Sequence, residues 1–148
     1  MRRPSDVVPD LDRVHLPCLA SNVASMPGMG EQARTSGAAA ERRATWHLRW
    51  RGWRIVARNW IGGGGELDIV ASRWRTLLVV EVRQRADTAN ALASIDRAKL
   101  ERTLGATRAL IGANHLQRYR LRIDVIAIDG RGRLVRRRDV LADGVIGG

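Results

Sequence analysis

The sequence has no phenylalanine, one tyrosine, one cysteine and one lysine, and its four prolines all fall within the first 27 residues. Each scarcity excludes something. A lone Cys18 cannot build a disulfide framework or a cysteine-based zinc site, and it fits a reducing, cytoplasmic setting. No apolar run approaches the roughly 18 residues needed to cross a bilayer. Pro4, Asp6, Pro9, Asp10, Asp12 and Arg13 interrupt any apolar stretch that could serve as a secretory signal. Neither export nor a membrane partner is therefore expected.

Negative charge is also scarce. Fifteen acidic residues face 26 basic ones, for a net charge of +11. Such an excess points to a polyanion, because cationic side chains neutralise phosphates and release condensed counterions. An anionic membrane surface is the rival reading of the charge alone. All but one of the basic residues are arginine, in a chain also rich in Ala and Gly. Compositional drift accounts for that pattern and weakens any argument from a single arginine, but not the argument from net charge.

The chain has 148 residues, of which 45% are hydrophobic and 28% charged, the balance of one folded domain. Residues 1–34 hold all the prolines and no sustained period, and read as a loosely attached leader. Met26 and Met29 offer alternative starts close to the organised part. The domain is expected over 35–138, with a tail over 139–148.

Ala40, Ala44, Leu48 and Arg51 recur at helical spacing from Gly37, with Ser36 as N-cap and Gly52 as terminator. A strand follows over Trp53–Trp60, and Gly62–Gly65 reads as a hairpin connection. No Gly-Lys-Ser/Thr follows the glycines, which argues against a phosphate-cradling loop. Glu66–Ala71 and Thr76–Arg83 are two further strands joined by a turn over 72–75, the second continuously apolar and hence central. A helix is expected from about Asn90 to Gly112, with Leu92, Ile95, Ala98/Lys99, Arg102, Ala106 and Ala109/Leu110 near one face. A strand over Tyr119–Ile128 and a turn into Leu134-Val135 complete the order α-β-β-β-α-β plus a terminal hairpin.

Glu66, Asp68 and Glu81 sit on neighbouring strands where a core would prefer apolar residues, and buried carboxylates are costly unless paired or bound to a cation. A hairpin closing at 72–75 brings Asp68 and Glu81, thirteen residues apart, to the same ends of adjacent strands. With the backbone carbonyl of Val82 they could hold Mg²⁺, which takes oxygen ligands and keeps several waters, or Mn²⁺ in its place. The alternative is plain salt bridging to arginines such as Arg83 or Arg73.

Gly37-x-x-x-Glu41-x-x-Ala44, Gly52, Arg58-Asn59-Trp60, Gly65-Glu66-Leu67-Asp68 and Val80-Glu81-Val82-Arg83-x-Arg85 follow in order, then Lys99 and Arg122-Ile123-Asp124-Val125. Over residues 37–128 this resembles the YraN family. The resemblance implies a restriction-endonuclease-like α/β fold, a mixed sheet flanked by helices, carrying a nuclease signature of Asp followed by Glu-x-Lys. It implies Asp68 and Glu81 as metal ligands, Glu66 as a neighbouring acid and Glu41 as a further carboxylate from the first helix.

Two positions depart from the pattern. Ala40 stands where the family tends to have glycine, and Arg83 stands where the signature has lysine. Arginine stays protonated and cannot take a proton from water, although it can orient phosphate. Lys99 is then either a helix lysine reaching into the cleft or an ordinary solvated one.

Trp46, Trp50 and Trp53 form a helical stripe that either stacks on unpaired bases or, for at least two of them, packs in the core. His47 and His115 have no companion at metal-ligand spacing and read as surface residues. Eight arginines between Arg118 and Arg138 read as a surface that tracks a phosphate backbone. The expected partner is DNA or RNA, branched DNA included; the sequence leaves the oligomeric state open, with a homodimer suggested only by analogy with related folds. The function classes left open are a metal-dependent endonuclease, a catalytically inactive nucleic-acid-binding module, and a basic scaffold for an acidic protein.

Overall fold

The computed structural model describes residues 31–85 and 96–142, with side chains in the first helix from residue 37. Helix α1 (Glu31–Trp50) leads into strands β1 (Arg54–Gly62), β2 (Gly65–Arg73) and β3 (Thr76–Gln84). Helix α2 (Arg97–Ala113), β4 (Arg120–Ile128) and β5 (Leu134–Arg137) follow. The strands form one sheet in the order β1-β2-β3-β4-β5. β3 and β4 are parallel, and every other pairing is antiparallel. This is the expected α/β architecture, a mixed sheet with helices, in keeping with the restriction-endonuclease-like fold. β3 is central, as its continuous apolar run requires.

Successive strand residues face opposite sides of a sheet, and the core divides accordingly. Leu78 and Val80 pack with Ala40, Ala44 and Leu48 of α1, whereas Leu77 and Val79 pack with Leu100, Ala106 and Leu110 of α2. One helix covers each face. Because α1 spends positions 40, 44 and 48 on the sheet, Trp46 and Trp50 turn outward, and only Trp53 of the predicted stripe is buried. The expectation that two of these tryptophans fill the core is thus corrected.

Ser36 lies inside α1, which already begins at Glu31, so it is not the cap. Gly52 does end the helix, at φ +77°. Its N–H donates to the Arg49 carbonyl and that of Trp53 to the Leu48 carbonyl, the paired closure typical of a left-handed C-terminal glycine.

Two tight turns build the β1–β3 meander. Gly63 and Gly64 connect the paired Gly62 and Gly65 at φ +57° and +80°, a geometry open to glycine and matched to strand twist. A Cβ at Gly63 would lie 2.6 Å from the Gly105 carbonyl oxygen, so the hairpin tip rests directly on the backbone of α2. The next turn is tighter than read from sequence: Arg73 pairs with Thr76, leaving Trp74 and Arg75 as the connection.

Asp96 caps α2, its side chain accepting from the Ala98 N–H at 2.9 Å. The earlier part of the helix expected from Asn90, with Leu92 and Ile95, lies outside the described residues. The buried stripe is Leu100, Thr103, Ala106, Thr107 and Leu110, so Lys99 and Arg102 flank the core-facing side and do not lie on it. Val140, read as tail, is fully buried and donates its N–H to the Ile123 carbonyl at 2.8 Å.

Candidate functional site

The β2–β3 register pairs Ile69 with Val80, and one step further sets Asp68 opposite Glu81. Asp68 Oδ2 accepts a hydrogen bond from the Val82 N–H at 2.8 Å. Glu81 is tucked against the α2 face, its side chain 7% exposed, and pairs with the Lys99 ammonium, which is 42% exposed. Glu81 Oε2 has no hydrogen-bond donor within reach among the described residues.

Both carboxyls are held above the ordinary carboxylate range. Desolvation by burial is the largest cause for each, and for Glu81 the charge of Asp68 adds to it. Lys99 and Arg83 pull both back down. Two carboxyls placed side by side out of water need either a shared proton or a cation.

Of the remaining predicted site residues, Arg83 follows Glu81 by two positions on β3, and its charge acts on both acids. Glu41 of α1 accepts from Asn59 Nδ2 at 3.2 Å. Its pKa is also raised, first by burial and further by the charges of Asp68 and Glu66. Glu66 is exposed. Arg73, the alternative salt-bridge partner, lies at the far end of β2, where its guanidinium stacks on Trp53 and Trp74.

Among the described residues, no group of three or more His, Cys, Asp or Glu side chains is gathered closely enough to hold a metal ion. Glu41 stands beside the pair without joining it. The donors present are two adjacent carboxylates and backbone. That set suits a hard cation that keeps most of its waters, as Mg²⁺ does, and does not suit a structural zinc. The orphaned Glu81 oxygen and the raised pKa values of both acids fit a cation there.

One acidic centre escaped the sequence reading. Asp124 on β4 is fully buried, and Arg122 grips it through two hydrogen bonds of 2.9 Å. Arg136 of β5 adds a third bond at 2.7 Å, and the Asp139 N–H a fourth at 2.9 Å. Its pKa is depressed despite the burial, by these donors. Arg122 and Arg136 were expected to track phosphate, but both are turned inward. Arg118, Arg120, Arg131, Arg133 and Arg138 remain at the surface. The expected histidines divide: His115 is exposed, whereas His47 is half-buried with Nδ1 3.1 Å from Arg51 Nη1.

No helix among the described residues is long and apolar enough to cross a membrane. Residues 40–128 match the model of the uncharacterised protein family UPF0102. A UPF0102 protein of Pseudomonas entomophila is 44% identical over 100 residues, 66% of this chain and 81% of that one. One from Rhizorhabdus wittichii is 40% identical over 96 residues, 65% of this chain and 81% of its own. One from Pseudomonas putida is 43% identical over 98 residues, 64% of this chain and 79% of its own.

Proposed function

The chain belongs to the UPF0102 family, the YraN family of its motifs, and from that premise we propose that it is a metal-dependent endonuclease hydrolysing phosphodiester bonds in nucleic acid. The observation that carries this reading is the pair of half-buried Asp68 and buried Glu81, with Lys99 on one acid and Arg83 beside both. A fold gains no stability from two desolvated carboxylates in contact. A site that must hold a cation against a phosphate does need them.

Asp68, Glu81 and the Val82 carbonyl would hold Mg²⁺. Bound there, the ion would supply an acidified water and charge neutralisation at the phosphate. Val82 holds Asp68 in place through its N–H, fixing one carboxylate against the sheet. Arg83 offers a permanent planar cation for phosphate oxygens. Lys99 provides what arginine cannot, an ammonium able to exchange a proton, delivered from a helix in place of the signature strand position. The net charge of +11 draws the polyanion to the surface.

The second reading, a binding module without turnover, is favoured by Arg83 itself, since the signature lysine is absent. The test is cleavage of linear, branched and single-stranded DNA and RNA with Mg²⁺ or Mn²⁺, comparing wild type with Asp68→Asn, Lys99→Met and Arg83→Lys. Cleavage by wild type, lost in Asp68→Asn and Lys99→Met, supports the endonuclease with Lys99 in the lysine's role. Salt-sensitive binding with no cleavage, or cleavage gained only in Arg83→Lys, selects the binding module. No nucleic-acid binding at any salt overturns both and leaves a basic scaffold for an acidic protein.

A further inference from the structure

The end of the sheet remote from the carboxylates carries a second feature. Trp74 follows β2 directly, and the strand itself runs five residues, about 17 Å at strand rise, from Asp68 to Arg73. Trp46, Trp50 and Trp74 are 60%, 78% and 86% exposed. They are three of only five large apolar side chains that stand exposed among the described residues. Single exposed hydrophobics need no explanation, but three indoles on two adjoining elements do.

The two elements are tied together. Arg73 Nη1 donates to the Arg51 carbonyl at 2.8 Å, joining the last turn of α1 to the β2–β3 turn. The same guanidinium lies 5.2 Å from the Trp53 ring and 4.8 Å from the Trp74 ring, so it stacks between a buried and an exposed indole. Trp74 holds φ +52°, a left-handed conformation that costs a bulky residue about 1 kcal/mol or more. The turn thus keeps its most exposed aromatic ring in a conformation that glycine or asparagine would adopt more easily.

The surroundings are uniformly cationic. No Asp or Glu occurs between Arg42 and Gly65, nor between Ile69 and Val80. Arg42, Arg43 and Arg49 are exposed on α1 beside Trp46 and Trp50, and Arg75 is exposed beside Trp74. A membrane-binding helix lays a broad apolar face of Trp, Phe or Leu into the bilayer opposite its basic face, whereas the apolar face of α1 is spent on the sheet through Ala40, Ala44 and Leu48. The exposed indoles of α1 share its outer side with Arg42, Arg43 and Arg49, which suits bases stacking on rings while phosphates meet arginines.

We propose that Trp46, Trp50 and Trp74, with the arginines between them, form a stacking platform for single-stranded nucleic acid. It is separate from the carboxylate pair and engages an unpaired segment flanking the bond presented there. The proposal rests on the nucleic-acid reading above and adds to it a preference for substrates with unpaired bases.

The test is fluorescence anisotropy of labelled single-stranded and duplex oligonucleotides of equal length, titrated with the full chain. Wild type is compared with Trp46→Ala/Trp50→Ala/Trp74→Ala and with the Phe counterpart at the same positions. Base–aromatic stacking is worth about 1–3 kcal/mol per base, so each engaged indole contributes roughly 5- to 150-fold in affinity. The Ala variant is expected to lose at least that factor on the single strand. It should change little on duplex and keep the salt slope set by phosphate contacts, and the Phe variant should recover most of the loss.

Equal binding of the single strand by wild type and the Ala variant overturns the platform and leaves the nucleic-acid reading standing. No binding by wild type to either oligonucleotide overturns both. Binding to vesicles of anionic phospholipid that the Ala variant loses, with oligonucleotide binding unchanged, assigns the surface to membranes instead.

Discussion

The same sheet holds two buried acidic centres that are opposites in their electrostatics. Asp124 is met by two guanidinium groups and a backbone N–H, and its carboxyl is driven below the usual range. Asp68 and Glu81 lie side by side with only the Val82 N–H, one half-exposed lysine and one arginine to moderate them, and both are driven above it, chiefly by burial. Burial is the largest single influence in each case. What differs is whether the neighbours were chosen to cancel the charge or to leave it over. Where charge is cancelled, the acid joins β4 to β5 and holds the fold; where it is left over, the acids keep an affinity for something the chain itself does not provide.

The sharpest way to break that contrast is at Asp124. Asp124→Asn leaves Arg136 buried without its counter-ion, and loss of one partner of a buried pair costs about 3–5 kcal/mol. Urea unfolding should show a loss of that size, a large fraction of the about 5–15 kcal/mol that stabilises a typical domain. A loss under about 1 kcal/mol would mean that the network is dispensable.

Asp68→Asn should do the reverse, lowering any cleavage activity by more than about a hundredfold while leaving the chain as stable as wild type, or more so, at neutral pH. The sign follows from linkage. For Asp68 and Glu81 the folded pKa lies above the unfolded value near 4, so their favourable contribution is complete below that value. It is lost as pH rises through the elevated folded values. For Asp124 the folded pKa is depressed, so its contribution is present above about 4 and is lost as pH falls through the folded value. Wild-type melting temperature should therefore rise as pH drops from neutrality through the elevated folded values of the pair, then fall in stronger acid as Asp124 is protonated. Asp68→Asn should flatten the rise and keep the fall. A rise of equal size in both proteins would remove the carboxylate pair as its source.

Lys99→Met probes the moderating charge. With the lysine about two-fifths exposed, the pair is partly screened, and its loss should cost only about 1 kcal/mol at pH 7. The acid-side rise in stability should steepen, because Glu81 loses its nearest cation. Activity should fall roughly 10²- to 10⁴-fold if Lys99 exchanges a proton in the reaction, and far less if it only balances charge.

Much of this architecture was legible in the sequence because it is local. The strand order and the central place of β3 follow from unbroken apolar runs, the β1–β2 turn from four glycines, and the Asp68–Glu81 approach from a short hairpin. The pairing of Asp124 with Arg136 was not legible, since it joins two strands across twelve residues and hides inside what reads as a basic surface segment. Trp46 and Trp50 were misread because the helix spends its sheet face on two alanines and a leucine, leaving the larger side chains outside. Lys99 beside Glu81 was an even choice until α2 was seen resting on the β1–β2 hairpin. The glycines of that hairpin set the helix position by allowing backbone to touch backbone.

The parallel pairing of β3 with β4 separates the site in time as well as in sequence. β1, β2 and β3 join through two-residue turns, contacts that cost little chain entropy and form early. β4 reaches β3 only after the chain has run from Gln84 through α2 to Arg120. The two acids are therefore brought face to face by the local hairpin, while the lysine that moderates them arrives with the long crossover. Folding has to climb against a repulsion that the finished protein moderates without removing. Refolding in stopped flow should accelerate as pH falls from neutrality in wild type, and Asp68→Asn should show a smaller acceleration. The kinetic barrier to making this protein would then be set in part by the same two side chains that equip it to act.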